Sequence, residues 1–355
     1  MKISTKNMNG AGGRTKLLKG VVALLAATLL GGLFFHYFLV VNFKDLNSDH
    51  AVHALMAEKF KFSKNLYYWG QDRLGSFIPM FGALFYKMGF SSLWAASLSQ
   101  GLILLGIFYL LQKQFQNFWF KIGLAVVLFL PIYPFLMQVM IGHPYLAHIL
   151  FTASFLSLPL GGKIPVSLKA FLLPVLMCLA LWSSELALVG LLAFALSYWR
   201  FYLPLLKKHY RLFTLGLILG LCFIYYGKTT AFHQEIYEQN LASLSEIQET
   251  LSHYGLEFKE LLLFSTNKPY NSLLVYVLFG NFILLFALVP LRRLVKNQFF
   301  VFSLLTAIGT TLAVLISYWA VFMHRPFNYF VPAYFFLLMA LLSGWQMVDF
   351  TALAK

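Results

Sequence analysis

The sequence predicts an all-α, polytopic integral membrane protein of about ten transmembrane helices. Three observations lead there. Of 355 residues, 60% are hydrophobic and only 11% charged, against about 45–50% and about 25% in soluble domains. The apolar residues gather in runs long enough to cross a bilayer. The charges sort by side once those runs are laid out as alternating spans. So few ionisable groups cannot cover a water-facing surface, and this hydrophobicity excludes intrinsic disorder.

A hydrocarbon core of about 30 Å takes about 20 apolar helical residues to cross. The runs that meet or approach that length are 17–41, 91–111, 121–139, 146–160, 166–203, 212–227, 271–291, 299–321 and 330–349. At the start of the first, Lys16 and Lys19 precede the apolar stretch. It exceeds a signal-peptide core of about 7–15 residues and no small-x-small cleavage site follows, so it reads as a retained anchor. Run 166–203 is long enough for two spans and is interrupted by Trp182-Ser183-Ser184-Glu185. Each half would be about 26 Å long at 1.5 Å per residue. Read as a hairpin, it gives ten spans with both termini inside. As one long helix it gives nine and puts Arg200, Lys207, Lys208 and Arg211 outside. The positive-inside rule favours the hairpin.

With ten spans, the connections on the cytoplasmic side hold Lys113, Lys121, Lys163, Lys169, Arg200, Lys207, Lys208, Arg211, Arg292, Arg293 and Lys296. The N-terminal basic residues and Lys355 lie there too. Of the twelve acids only Asp349 joins them. The net charge of +15 and pI near 9.7 would suggest nucleic acid in a soluble chain. Here the excess orients the chain, and no nucleic-acid partner is expected. Cys178 and Cys222 sit in apolar runs without metal-ligand spacing.

The chain reads as one integral membrane domain, 1–355, with two long outer segments. The first, 42–90, contains the apolar patch Phe77–Met88, too short to cross and expected along the interface. The second, 228–270, interleaves six glutamates with Ile236, Leu241, Leu244, Ile247 and Leu251 near helical spacing, which predicts an amphipathic helix.

Two clusters in the first outer segment hold the candidate chemistry. Asp45, Asn47, Ser48, Asp49, His50, His53 and Glu58 form the densest polar group. If 48–60 is helical, Ser48 is its cap and Asp49 and His53 share a face at i, i+4. A carboxylate beside imidazoles serves as general base or as metal ligand, so a divalent metal is a candidate cofactor and no other is indicated. Solvated loop polarity is the alternative. The second cluster is Tyr67-Tyr68-Trp69-Gly70-Gln71-Asp72-Arg73-Leu74-Gly75. Aromatic faces stack on sugars and Arg73 suits a phosphate. An interfacial aromatic belt with a surface turn is the plain alternative.

The runs NSDHAVHALMAEKF (47–60) and YYWGQDRLGSFIPMFGALFYKMGF (67–90), continuing into the following span, resemble the start of bacterial GT-C membrane glycosyltransferases. These are relatives of the dolichyl-phosphate-mannose protein mannosyltransferases and of the lipid A aminoarabinose transferase. His324-Arg325-Pro326-Phe327-Asn328-Tyr329 is similar to a segment that often opens a late span there. The resemblance covers about 65 residues. It implies that Asp49 stands in the place of the catalytic loop acid, with His50 or His53 as helper. It also implies a polyprenyl-phosphate-linked sugar as donor and a lipid, glycan or protein as acceptor. The site would lie on the outer face of a bacterial inner membrane. Arg73, Lys228 and Arg325 are available to stabilise the departing phosphate. Asp45, Tyr67, Tyr68, Trp69, Gln71 and Glu185 are further candidates for substrate binding. Many relatives have two adjacent acids where this chain has Asp49-His50.

Glu185, at the turn of the hairpin, is either a site residue or a solvated turn residue. His143 and His324 are expected in the headgroup zone, and His36 and His148 as packed, hydrogen-bonded residues within spans. Another functional class stays open: a transporter or flippase of a lipid-linked or small hydrophilic substrate. Transporters concentrate ionisable groups near the bilayer midplane, often in inverted repeats. Here the charges cluster in an outer loop and no repeat is present. A glycan polymerase or ligase would rely on arginines in a late outer loop, where this chain is acidic.

Overall fold

The computed structural model describes residues 9–35, 48–69, 74–129, 145–160, 164–231, 242–249, 251–252, 255, 269–317 and 330–349, without the side chains of 9–16, 33–35, 48–49 and 269–275. Among these residues the chain is all-helical: α1 (Asn9–Phe35), α2 (Ser48–Glu58), α3 (Phe77–Lys87), α4 (Ser92–Leu111), α5 (Phe118–Phe129), α6 (Tyr145–Ser157), α7 (Val166–Ser183), α8 (Ala187–Lys208), α9 (Tyr210–Thr230), α10 (Pro269–Leu288), α11 (Gln298–Leu315) and α12 (Val331–Trp345). Five of the described helices are long and apolar enough to cross a membrane: α4 with the turn that extends it to Gln114, α7, α8, α9 and α11. Shorter apolar helices occupy the other predicted runs: Leu17–Gly32 within α1, α5, α6, Tyr276–Leu288 within α10, and α12. Three predicted spans, 17–41, 121–139 and 299–321, continue beyond the described residues.

The break in run 166–203 falls at Ser184-Glu185-Leu186, and the two halves fold back on each other. Lys169 Nζ at the start of α7 donates to Pro159 O (3.4 Å), just past the end of α6. Near the other end, Phe77 contacts both Phe151 of α6 (4.9 Å) and Trp182 of α7 (6.5 Å). So α7 runs against α6. Helix α8 runs with α6, since Gly190 faces His148 and Phe194 packs on Phe155 at 5.0 Å. Run 166–203 is therefore a hairpin of two antiparallel helices.

Helix α9 runs beside α7 in the same direction. Gly216 meets the Phe171 carbonyl and Pro174, and a Cβ on Gly220 would lie 2.5 Å from Cys178 Cβ. Gly216-x-x-x-Gly220 is a small-xxx-small stripe that lets two helix backbones approach. It matters in lipid, where dispersion and not water exclusion holds helices together. Helix α11 begins with a cap: Asn297 Oδ1 accepts from the N–H groups of Phe299 and Phe300 (3.1 and 3.2 Å), satisfying two orphan donors of the first turn. Asn297 Nδ2 donates to Ser343 Oγ of α12 at 2.9 Å. Large side chains such as Leu188, Leu192, Leu196, Ile218, Leu219 and Tyr225 stay exposed on outward faces, as in a lipid-facing bundle.

These pairings sort the bundle into two ends. At one end, Ser157 Oγ donates to Leu110 O (2.8 Å), Gln114 Nε2 to Leu156 O (3.3 Å) and the Gln116 N–H to Gln346 Oε1 (2.9 Å), while Phe115 packs on Phe299. Of the basic residues predicted to be cytoplasmic, Lys113, Lys121, Lys169, Lys207, Lys208, Arg211, Arg292, Arg293 and Lys296 lie in the described connections and helix termini of this end. The opposite end gathers α2, α3, residues 65–69 and 74–76, the 184–186 turn and the end of α9.

The later outer segment is described only in part. Residues 244–249 are helical, opened by Ser243 and Glu246 in a reciprocal capping box. The Ser243 N–H and Oγ–H donate to Glu246 Oε2 (2.6 and 2.7 Å), and the Glu246 N–H donates to Ser243 Oγ (3.3 Å). The Ala242 N–H donates to Ile316 O (3.2 Å), tying the segment to the end of α11.

Candidate functional site

The site is built where α2, residues 65–69 and 74–76, and the α7–α8 turn converge. Helix α2 forms over the predicted residues and buries one face: His50, His53, Ala54, Met56 and Ala57, while Ala51, Leu55 and Glu58 stay exposed. Its Ala57 side packs on Gly82 of α3, where a Cβ would come within 3.1 Å of Ala57 Cβ. Helix α3 in turn sits against the first turns of α4, Gly82 facing the Ala95 carbonyl and Ser99. Predicted as interfacial, α3 turns Ile78, Pro79 and Ala83 inward and leaves Leu84, Tyr86 and Met88 exposed.

Residues 65–69 and 74–76 lie side by side as an extended pair. The Tyr68 N–H donates to Leu74 O and the Ser76 N–H to Leu66 O, both at 3.0 Å, and Tyr67 and Gly75 form an antiparallel bridge. Ser76 Oγ donates to the Asn65 carbonyl. Trp182, the last tryptophan of α7, clamps this pair from beneath: its Nε1–H donates to Leu66 O (2.9 Å). The indole lies against Gly75 on one side and Phe223 on the other, at 5.0 Å. Gly227 of α9 admits the Tyr67 ring, which a Cβ would approach to 2.9 Å.

A hydrogen bond joins the two clusters. Tyr68 OH and His53 Nδ1 are 3.1 Å apart, with the rings edge to face at 4.9 Å. Both residues are buried, and Tyr67 is 3% exposed, so the two tyrosines pack as part of the bundle, not as an open belt or platform. Trp69, 39% exposed, is the aromatic of the string that is open. Glu185 is exposed in the α7–α8 turn, three residues after Trp182. Lys228 is half-buried in the last turn of α9, next to Gly227.

The backbone of Asp49 lies in the first turn of α2, four residues before His53; its side chain lies outside the described residues. So does the Ser48 side chain, and with it the expected cap. Asp45, Gln71, Arg73, His143, His324 and Arg325 also lie outside them. Among the described residues no group of three or more His, Cys, Asp or Glu side chains is placed to hold a metal ion. His148 departs from expectation in one respect. It is fully buried, but among the described residues neither ring nitrogen has a hydrogen-bond partner, and the same holds for the hydroxyls of Ser197 on α8 and Ser303 and Thr310 on α11.

The sequence reading missed Trp182, Gly75 and Gly227 as the joints of the site. Trp182 carried a signal, as the residue where the long apolar run first breaks. No protein-family model, curated protein or solved structure matches the chain.

Proposed function

We propose that this chain is a GT-C-type membrane glycosyltransferase that moves a sugar from a polyprenyl-phosphate donor to a lipid, glycan or protein acceptor, with inversion. One observation carries the reading: the Tyr68–His53 hydrogen bond ties the acid-bearing helix to the aromatic string, the two segments that carry the resemblance. The end they occupy is opposite the basic connections. By the positive-inside rule that end faces away from the cytoplasm, with ten spans, both termini cytoplasmic and the chain in a bacterial inner membrane.

In this reading the Asp49 carboxylate takes the proton of the acceptor hydroxyl as its oxygen bonds to the anomeric carbon. The bond from that carbon to the donor phosphate oxygen breaks, and the lipid phosphate leaves with the electron pair. Lys228, Arg73 and Arg325 supply the positive charge that stabilises it. His53 orients α2 through Tyr68, and His50 assists the base. Trp69 offers a ring face to the sugar, while Asp45, Gln71 and Glu185 contribute polar contacts. Asp49→Asn and Asp49→Ala are expected to express and fold as wild type and to lose sugar transfer. Wild-type rates in either variant would remove Asp49 as the base.

The second reading is a transporter or flippase of a lipid-linked or small hydrophilic substrate. His148, fully buried within α6 and without a hydrogen-bond partner among the described residues, favours it, since ionisable groups within spans often mark substrate or ion paths. Substrate movement across liposomes without any covalent product would place this reading first.

A further inference from the structure

A groove of about 550 Å³ opens between α1, α4 and α5, within the range of about 300–1,000 Å³ that small-molecule sites occupy. Its body is apolar, with Ala27 and Gly31 on α1, Leu105 on α4 and Ala125 and Phe129 on α5. The small α1 residues keep that helix from filling the gap, and a Cβ on Gly31 would meet nothing within 4 Å. The two polar side chains in the lining are Gln112 and Lys121, both at the basic end of the bundle. From Lys121 to Phe129 the groove runs about 12 Å at 1.5 Å per residue, close to one leaflet of a hydrocarbon core of about 30 Å. No acid among the described residues pairs with Lys121. Lys113, next to Gln112, adds a second exposed ammonium, held 4.8 Å over the Tyr109 ring.

A cation at the mouth of an apolar slot one leaflet deep is complementary to an anionic amphiphile. We infer that this groove binds an acyl chain of an anionic phospholipid of the leaflet at the basic end, with the headgroup phosphate on Lys121 and Gln112. Basic pockets between transmembrane helices hold anionic headgroups in this way. The inference rests on membrane embedding and not on glycosyl transfer, because the groove lies at the end opposite α2.

The test is native mass spectrometry of the purified full chain in detergent, with phosphatidylglycerol or phosphatidylcholine added in equal amounts. Wild type is expected to retain phosphatidylglycerol in preference. Lys121→Gln is expected to weaken its retention about fivefold, as for the loss of one basic contact. Ala27→Phe, which fills the slot without changing charge, is expected to reduce retention of the lipid to a similar degree. Lys207→Gln, an exposed lysine away from the groove, is the control and is expected to have no effect. Equal retention of both lipids, or retention unchanged in Lys121→Gln or Ala27→Phe, overturns the inference. A second copy of the chain seated in the groove, seen by crosslinking between α1 and α5, overturns it as well. Sugar transfer is not a readout, so loss of the glycosyltransferase reading would leave this result standing.

Discussion

Gly75→Ala is the substitution that most sharply probes how the first outer segment is attached to the bundle. A Cβ at this position would lie 2.6 Å from the Trp182 carbonyl oxygen and 2.7 Å from two carbons of its indole. Ordinary contacts to a Cβ begin near 3.4 Å, so one partner must retreat by roughly 0.7 Å. Neither retreats freely. The carbonyl belongs to the end of α7, and the indole is held by Leu66 O (2.9 Å) and by Phe223 (5.0 Å). Overpacking of this kind costs about 1–3 kcal/mol, and loss of the indole hydrogen bond adds about 0.5–1.5 kcal/mol. Burial of one methyl returns about 0.8 kcal/mol, leaving a net loss of roughly 0.7–3.7 kcal/mol. The assay is a denaturant titration of the purified protein in detergent, with Gly280→Ala as control. A Cβ on Gly280 meets nothing within 4 Å, in the interior of α10, so that substitution should be neutral or gain up to about 1 kcal/mol. A Gly75→Ala protein within about 0.5 kcal/mol of wild type would refute the clamp.

Tyr68→Phe removes the partner of His53 Nδ1 and is expected to cost about 1–3 kcal/mol in the same titration, since a buried ring nitrogen loses a partner. If this bond positions α2, sugar transfer falls with it at fixed folded fraction. Gly220→Leu forces a branched side chain against Cys178 and should destabilise by at least about 1–3 kcal/mol, while Leu219→Ala, on the exposed face of α9, should change stability by less than about 0.5 kcal/mol. Glu246 has its carboxyl pKa lowered by the Ser243 hydroxyl and N–H. Its contribution to 244–249 is therefore fully present above the ordinary glutamate range and is lost as pH falls through the lowered value. Amide exchange of 247–249 should speed up on acidification, and Glu246→Gln should flatten that dependence. His148→Leu removes two buried nitrogens that no group among the described residues satisfies and is expected to leave stability unchanged or raise it by up to about 1 kcal/mol. A loss above 2 kcal/mol would show that the imidazole has a partner.

Periodicity and charge made much of this architecture legible. The hairpin at Ser184-Glu185-Leu186 followed from an apolar run too long for one span and from basic residues that had to share a side. Helices α2 and α3 were readable because a polar cluster and a short apolar patch have different solvents. The joints were not readable. Trp182 marks where the apolar run breaks, but its clasp on Leu66 and Gly75 depends on partners more than a hundred positions away. The Gly216-x-x-x-Gly220 stripe was present as a pattern, but a glycine spacing alone does not name the helix it faces. Burial of Tyr67 and Tyr68 also escaped the sequence, since an aromatic belt and a packed tyrosine pair have the same composition. The environment of His148 is a tertiary property: α6, α8 and α11 must meet before its ring nitrogens are enclosed.

The proposed glycosyl transfer requires that the protein break a sugar–phosphate bond. The decisive measurement is release of free polyprenyl phosphate, by mass spectrometry, from a panel of polyprenyl-phosphate sugars incubated with proteoliposomes and a membrane extract as acceptor source. Release that matches sugar transferred is expected in wild type and none in Asp49→Asn, with both proteins folded alike. Intact donor with wild-type protein, and label carried across the bilayer unchanged, would contradict it.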